Sequence, residues 1–543
     1  MTSNQLSNVI LWVVLGGLIL FGCTKNSPNQ PTATTVIPAE AAEIVATEAL
    51  PAEQETAIAE EVVSESVIDT VQILVSDPID TLEPYYLVNA HPEASVAVHL
   101  WDTLTRLNGQ LEVEPALAES WRLVNNFTWE FKLRPNLFFH NDEQITAEAV
   151  KFSATRSKAL PSSLETFMED ADIKTVEVVD EITVRFITNQ PITNLPYHLT
   201  FLEILPPAYY QETSVSQLAI APVGSGPYRL SQETTREQLV LEAASDYWGG
   251  QPVISRLIFK TMPEAEDRLA ELADDDVLTI VTDLPPGPLA EWDISGSRLE
   301  AIESTQRLFV GMNIGANTPF QNQLVRQALN YAVDVEQITT DLQHGYGQRY
   351  GSWVNPPHND PDLKPWPYDP DQARLLLEEA GYSSGITTTL ATPNGVYYND
   401  VQVAEAIADQ LKLVGVNVVV EEMEWPIYVR RLLDKNPPSL FLLGLNSHGD
   451  PIEDAKNLST HFPFNPTGWK NDKFELTLNR VTYAFENTVR ARRLYEAQKI
   501  AYNESPWIWL WRPYRFYGIS DGLSWSPRAD GWVYLYKPIT DNQ

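Results

Sequence analysis

The chain has a single cysteine, Cys23, in 543 residues. No intramolecular disulfide can form, and no cysteine-based metal cluster. Basic residues are also scarce: 37 Lys and Arg stand against 73 Asp and Glu, a formal net charge of −36. Nucleic-acid binding needs clustered cations against phosphate, so that class is excluded. The acidity reads as a solvated surface. No His-Glu-x-x-His occurs, and the eight His are scattered without metal-ligand spacing, so no metal or cofactor is expected. No Ser-His-Asp or Cys-His set stands out. Gly224-Ser225-Gly226 has neither the following Gly-Lys-Ser/Thr of a phosphate loop nor the spacing of a nucleophile elbow. Glu421-Glu422 and Glu424 pair carboxylates as a glycosidase would need, but acidic loops of this kind ordinarily face solvent. A secreted hydrolase is therefore the weaker alternative, and the chain reads as a non-enzyme.

What is present begins with an apolar run, Val9 to Gly22. It is short for a membrane span and suits a signal-peptide core. Leu20-Phe21-Gly22-Cys23 resembles the bacterial lipobox, which implies residues 1–23 as a lipoprotein signal peptide with Cys23 lipidated. The other reading is an uncleaved anchor; both export the rest of the protein. Several acyl chains on one residue make stable anchoring. Residues 24–66 are rich in Ala, Thr, Pro and Glu and poor in large apolar residues, the composition of a disordered, self-repelling acidic tether.

Folding begins near Val67. Val71, Ile73 and Val75 alternate as a strand. Ser95 to Leu107 reads as a helix. Trp129, Phe131 and Leu133 alternate with Glu130, Lys132 and Arg134, the period of a half-buried strand. Pro135 stops it, His140-Asn141-Asp142 turns, and Thr146 caps a helix whose Ala147, Val150 and Ala154 share a face. Val176 to Phe186 reads as a hairpin turning at Asp180-Glu181. The acidic run Glu271 to Asp276 reads as a solvated loop. Val325, Ala328, Leu329, Ala332 and Val333 form a helical stripe. Asp369 caps a helix with Pro370 at its first position and Gly381 at its end. Thr387–Thr392, the helix carrying Ala404, Ile407, Ala408 and Leu411, and Val416–Val420 form a β–α–β unit, and ligands bind beyond the carboxyl ends of such strands.

Several of these stretches carry a resemblance. Trp129 to Ser153, with Ala116-Leu117-Ala118-Glu119-Ser120-Trp121, Pro222-Val223-Gly224-Ser225-Gly226-Pro227-Tyr228, Asp246-Tyr247-Trp248-Gly249-Gly250, Val325 to Asp334 and Thr467 to Asn471, is similar to the family 5 extracellular solute-binding proteins of ABC transporters. The likeness spans about residues 68–525. It implies an α/β fold: the two-lobed class II periplasmic-binding architecture with three structural domains. Domain I would comprise 67–104, 223–305 and 515–543, domain II 105–222, and domain III 306–514. It also implies a monomeric extracytoplasmic receptor that traps an oligopeptide or related small solute and delivers it to a membrane permease. A sugar, opine or other non-peptide ligand is the alternative.

The following strand, Leu440 to Leu443, runs into Gly444-Leu445, and in peptide-binding members an Asp in the loop after this Gly-Trp strand end pairs with the peptide amino group. Aligned back from Asp450-Pro451, that position falls on Ser447, and the family's Trp is replaced by Leu445. Either Asp450 substitutes or the ligand is not a free-amine peptide, since an unpaired buried ammonium is costly. The expected ligand-binding residues are Glu93 from the first domain, then Tyr397, Trp425, Asn446, Ser447, His448 and Asp450. Arg349 is the cation considered for a ligand carboxylate, with a plain surface role as the other reading.

Overall fold

The computed structural model describes residues 68–536 except 80, 85–91, 160–170, 236, 274–275, 288–293, 316, 434–436, 448 and 461–464. The expected leader, Cys23 and the acidic tether lie outside the described residues, as does His448.

The expected first strand runs from Ile68 to Val75 and becomes the middle of a large sheet. It pairs in parallel with Ile254–Thr261 on one side and Leu278–Leu284 on the other. Both its faces are covered, which is why Val71, Ile73 and Leu74 are all fully buried rather than alternating. Val71 and Ile73 join the core shared with residues 93–205, while Leu74 packs with Leu272, Val281 and Phe516. Trp511–Ser520 returns late in the chain to pair antiparallel with Leu278–Leu284 and Ser297–Glu303.

A second, four-stranded antiparallel sheet orders Ala118–Asn125, Thr128–Leu133, Thr183–Thr188 and Ile173–Val178. Phe131 and Leu133 are buried as their alternation predicts, and Ala147, Val150 and Ala154 of the helix Ala147–Ala159 pack in the same core. His140 is more than a turn residue. Its ring contacts the Gly226 carbonyl at 2.9 Å, and its N–H donates to Gly224 at 2.8 Å. These glycines pass so close to the helix Glu93–Leu100 that an added Cβ would meet Leu100 O at 1.9 Å and His99 O at 2.4 Å.

That helix is shorter than its spacing predicts. It stops at Leu100, Trp101 is extended, Thr103 bridges to Glu203, and Thr105–Leu107 is a strand paired with Val113–Pro115. Long-range pairing of β-branched threonines overrides a helical periodicity here. The acidic run is also partly helical, since Ala265–Leu272 includes Glu271 and Leu272.

The third sheet orders Val416–Met423, Ile386–Pro393, Leu440–Leu445, Arg307–Met312 and Trp507–Trp509. The β–α–β unit is as expected: Ile386–Pro393 and Val416–Met423 are parallel, with Val403, Ala404, Ile407 and Leu411 of Asp400–Lys412 turned inward. Asp369 accepts from the N–H of Gln372 at 2.9 Å as helix cap, and Gly381 closes the turn at φ +88°.

The chain passes between the large sheet and the third sheet at Glu303–Arg307 and again at Trp509–Trp511. The two passages lie side by side: Ser304 N–H donates to Pro513 O at 2.9 Å, and Arg512 pairs with Glu303. Two adjacent crossings between separately cored bodies give a bending axis.

Candidate functional site

Three parallel strands of the third sheet end together, and the loops beyond them carry the expected residues. After Ile386–Pro393, the Asp400 carboxylate accepts N–H bonds from Gly395, Val396, Tyr397 and Val401 at 2.9–3.2 Å, which folds residues 395–400 into a tight cup. This sets Tyr397 over the last strand, where its hydroxyl accepts from Gly444 N–H at 2.9 Å. Burial pushes that phenol above its ordinary range. The ring lies so close to Gly444 that a Cβ there would fall 2.9 Å from it. Gln306 shares this spot and donates to Asn446 Oδ1 at 3.2 Å. Trp425 opens the helix Trp425–Leu433 and stacks on Tyr428, with centroids 5.8 Å apart at 23°. Tyr397, Trp425 and Asn446 are thus placed at one edge of the sheet, beyond three neighbouring strand ends.

Ser447 is buried beside a charged pair that sequence inspection missed. Arg307, 1% exposed, faces Asp454 at 3.2 Å and donates to the carbonyls of Trp353 and, at 3.2 Å, Asn446. Burial raises the Asp454 carboxyl, opposed by the Arg307 charge and a bond with the Ser447 hydroxyl. The pair therefore fixes the Asn446–Ser447 backbone from beneath. A lone Arg opening the apolar run Leu308-Phe309-Val310 was the available signal, because a buried guanidinium requires a partner.

Asp450 caps the helix Pro451–Lys456, accepting from Ile452 and Glu453 N–H at 2.8 and 3.0 Å. Its Oδ1 also accepts from Asn194 of the other body at 3.1 Å, and the same Asn194 amide donates to Glu453 at 3.2 Å. Glu453 is further held by Lys456 at 2.8 Å and lies 3.4 Å from the fully buried His198 ring. Burial opposes ionisation of Glu453, but Lys456 and His198 hold its carboxyl far below the usual range. Burial, with the Glu453 charge beside it, pushes Asp450 up to about 6. Thr193 adds a second tie between the bodies, donating to Thr482 O at 3.0 Å. Nothing local in the sequence marks Asn194 or His198, whose partners lie more than 250 residues away.

The Asp450 shift has a sign that can be tested. The part of this rise that comes from burial against the other lobe makes closing take up a proton, so its contribution to the contact is present at low pH and is lost as pH rises through about 6. Solute release should therefore quicken as pH rises across that window. Asp450→Asn, which keeps a helix cap, should flatten the dependence in stopped-flow dissociation.

Glu93 is buried in the first turn of Glu93–Leu100, in the other body, where a carboxylate suits the helix dipole. Arg349 is committed elsewhere, donating to Glu336 at 3.1 Å and to the Trp366 carbonyl at 2.7 Å. It is the surface-type Arg of the second reading rather than a cation at the strand ends. Among the described residues no group of three or more His, Cys, Asp or Glu could hold a metal.

Two separately cored lobes, a pair of adjacent crossings and ligand-competent loops at parallel strand ends define a hinged solute-binding protein. The chain belongs to the bacterial extracellular solute-binding proteins, family 5, whose middle-region profile matches residues 112–465. Heme-binding protein A of Haemophilus influenzae is 27% identical over 459 residues, covering 78% of this chain and 82% of its own. The glutathione-binding protein GsiB of Escherichia coli K12 is 26% identical over 456 residues, covering 81% and 88%. The structure of HbpA2 from Haemophilus parasuis matches with a TM-score of 0.77 at 25% identity, over 86% of this chain and 99% of that one. The chain is accordingly an extracytoplasmic substrate-binding protein of an ABC importer, and a transport component rather than an enzyme. No helix among the described residues is long and apolar enough to cross a membrane.

Proposed function

We propose that the chain is a lipid-anchored receptor that closes on an oligopeptide or related peptide-like solute and hands it to its permease as a monomer. Its three larger sheets would mark domain I (67–104, 223–305, 515–543), domain II (105–222) and domain III (306–514). The solute would lie against Glu93 on one side and Tyr397, Trp425, Asn446, Ser447, His448 and Asp450 on the other. One observation carries the choice of solute. Ser447 occupies the position of the family's amine-binding Asp and is turned into the Arg307–Asp454 pair, while Asp450 Oδ1 serves a helix cap and Asn194. Ser447 has no carboxylate, and all three contacts of Asp450 fall on its Oδ1, which uses that side chain as a helix cap and lobe contact rather than as the partner of a peptide terminus. The relatives include a glutathione-binding protein, and glutathione is a peptide whose first linkage is unusual, which supports a peptide-like solute not held by its α-amino group at this loop.

Calorimetry with tri- to pentapeptides and glutathione, each free and N-acetylated, tests this. Acetylation should weaken binding by less than about tenfold, because no ion pair at this loop is lost. Loss of a thousandfold or more, the equivalent of breaking a buried pair at about 4 kcal/mol, would refute it. Binding of a porphyrin, sugar or opine with no peptide bound would replace the peptide reading.

The anchor is tested separately. Cys23→Ser should move the chain from the membrane fraction to the soluble fraction on cell fractionation. Retention of the variant in the membrane would favour the uncleaved anchor.

A further inference from the structure

The helix Asp472–Thr482 buries Phe474, Thr477, Leu478 and Val481. Its outer side runs against the character of the chain. Lys473, Leu476, Arg480 and Tyr483 recur at helical spacing, which stacks them in one stripe. All four are exposed, Leu476 at 52% and Tyr483 at 43%. A third cation joins them: Arg493, in the helix Asn487–Glu504, donates to the Arg480 carbonyl at 2.8 Å. Among the described residues, none of Lys473, Arg480 and Arg493 is in an ion pair. The neighbouring Asp472 sits in the first turn of the helix, where the dipole favours it. In a chain of net charge −36, unpaired cations flanking two large exposed apolar side chains are a local reversal of sign, with the makings of an interaction surface.

The stripe ends at the contact between the lobes. The Thr482 carbonyl, next to Tyr483, accepts from the Thr193 hydroxyl at 3.0 Å. The other lobe continues the surface from there. The Ile192 carbonyl accepts from the Trp129 indole at 2.9 Å, and the Phe127 carbonyl accepts from Thr188 N–H at 2.9 Å. These bonds tie the tip of the hairpin formed by Ala118–Asn125 and Thr128–Leu133 to the segment that runs into Thr193. The tip exposes Phe127 at 45% and Val124 at 42%. Two accessible apolar patches, one on each lobe, thus flank a contact that exists only when the lobes meet.

The occupant of this surface must be poor in cations and must distinguish closed lobes from open ones. Membership in an ABC importer supplies such a partner. A permease has to tell a loaded, closed receptor from an empty one. Its extracytoplasmic loops are depleted in Lys and Arg, because basic residues are concentrated on the cytoplasmic side. An anionic lipid surface would match the cations but gains nothing from the two-lobe geometry. A second copy seated on the same patch would set cation against cation.

We propose that the outer face of Asp472–Thr482, with Arg493 and the hairpin tip at Val124 and Phe127, is the surface on which acidic extracytoplasmic loops of the permease dock. Lys473, Arg480 and Arg493 orient the approach. Leu476, Tyr483 and Phe127 supply the apolar contact. Because the two halves come together only on closure, docking selects the closed receptor. The inference rests on the transport reading and not on which solute is carried.

The test is photocrosslinking in the native cell. A p-benzoylphenylalanine replaces Leu476 in one variant, Phe127 in a second, and Leu375, 60% exposed on the helix Pro370–Glu379, in a third. Mass spectrometry identifies what each is joined to. Positions 476 and 127 should both join to subunits of one ABC permease, and position 375 should not. Adding Lys473→Glu with Arg480→Glu should lower both yields by about tenfold or more, because like charges then face each other. Asn194→Leu, which removes a lobe contact, should lower them as well. Calorimetry on the purified charge-reversed chain should show unchanged solute affinity, so a docking failure is separable from a failed solute reading. The proposal is overturned if positions 476 and 127 join only to lipid, to another copy of this chain or to nothing. It is equally overturned if position 375 joins the permease as readily, or if charge reversal or Asn194→Leu leaves the yields unchanged. A fall in solute affinity that matches the fall in yield would assign these residues to solute binding instead and overturn it too.

Discussion

Arg307→Ala is expected to lower the stability of the third-sheet lobe by about 3–5 kcal/mol, the cost of removing one member of a buried ion pair. Asp454, 4% exposed and raised by burial, would lose the counter-ion that favours its charged form, and the carbonyls of Trp353 and Asn446 would lose their donor. The damage should reach function, because the same guanidinium fixes the Asn446–Ser447 backbone. Urea denaturation should show an earlier midpoint for this lobe, and solute affinity should fall in parallel. Arg307→Lys should recover only part of the loss, since an ammonium cannot fork between a carboxylate and two carbonyls. Removing both partners, Arg307→Met with Asp454→Leu, should be milder than Arg307→Ala alone, because no orphan charge remains. A double variant as damaged as the single one would show that the pair is not what holds the loop.

The second large effect is expected from Asn194→Leu, which keeps the side-chain shape and removes the amide. Asn194 is 8% exposed and donates to Asp450 and Glu453 across the two lobes. The bond to the ionised Glu453 contributes about 1.5–3 kcal/mol, and that to Asp450, which favours the contact in its neutral form, about 0.5–1.5 kcal/mol. Both are made only when the lobes meet, so their loss should fall on the closed state. Dissociation of bound solute should accelerate on the order of 10²–10³-fold, with little change in association. Thermal stability of the empty protein should change far less, because Asp450 keeps its own helix cap through Ile452 and Glu453. Equal solute release by Asn194→Leu and the unmodified chain would mean the contact is incidental to closure.

The parts of the fold that the sequence announces are the local ones. The Thr128–Leu133 strand follows from strict alternation, and the helix Pro370–Glu379 follows from Asp369, Pro370 and Gly381. The β–α–β unit follows from a change of period between Thr387 and Val420. What the sequence hides is set by distant partners. The helix after Glu93 ends at Leu100 because Thr103 finds Glu203, a hundred residues on. The loop positions of Tyr397, Asn446 and Ser447 could be inferred from strand ends alone. Their side-chain commitments could not: the Tyr397 hydroxyl is used by the Gly444 amide, and Ser447 by Asp454. Gln306, Arg307, Asn194, His198 and Glu453 gave little or no local signal, although they position the loops or join the lobes.

The central claim is that two lobes close on a solute by bending at Glu303–Arg307 and Trp509–Trp511. Small-angle X-ray scattering tests it most directly. The chain would be purified in detergent with its native solute, then stripped of that solute by partial unfolding and refolding, then resupplied. The account predicts a more compact particle with solute than without, reversible on resupply, and a solute recovered with unchanged mass. Identical scattering curves in the two states, with solute binding shown by calorimetry, would contradict it.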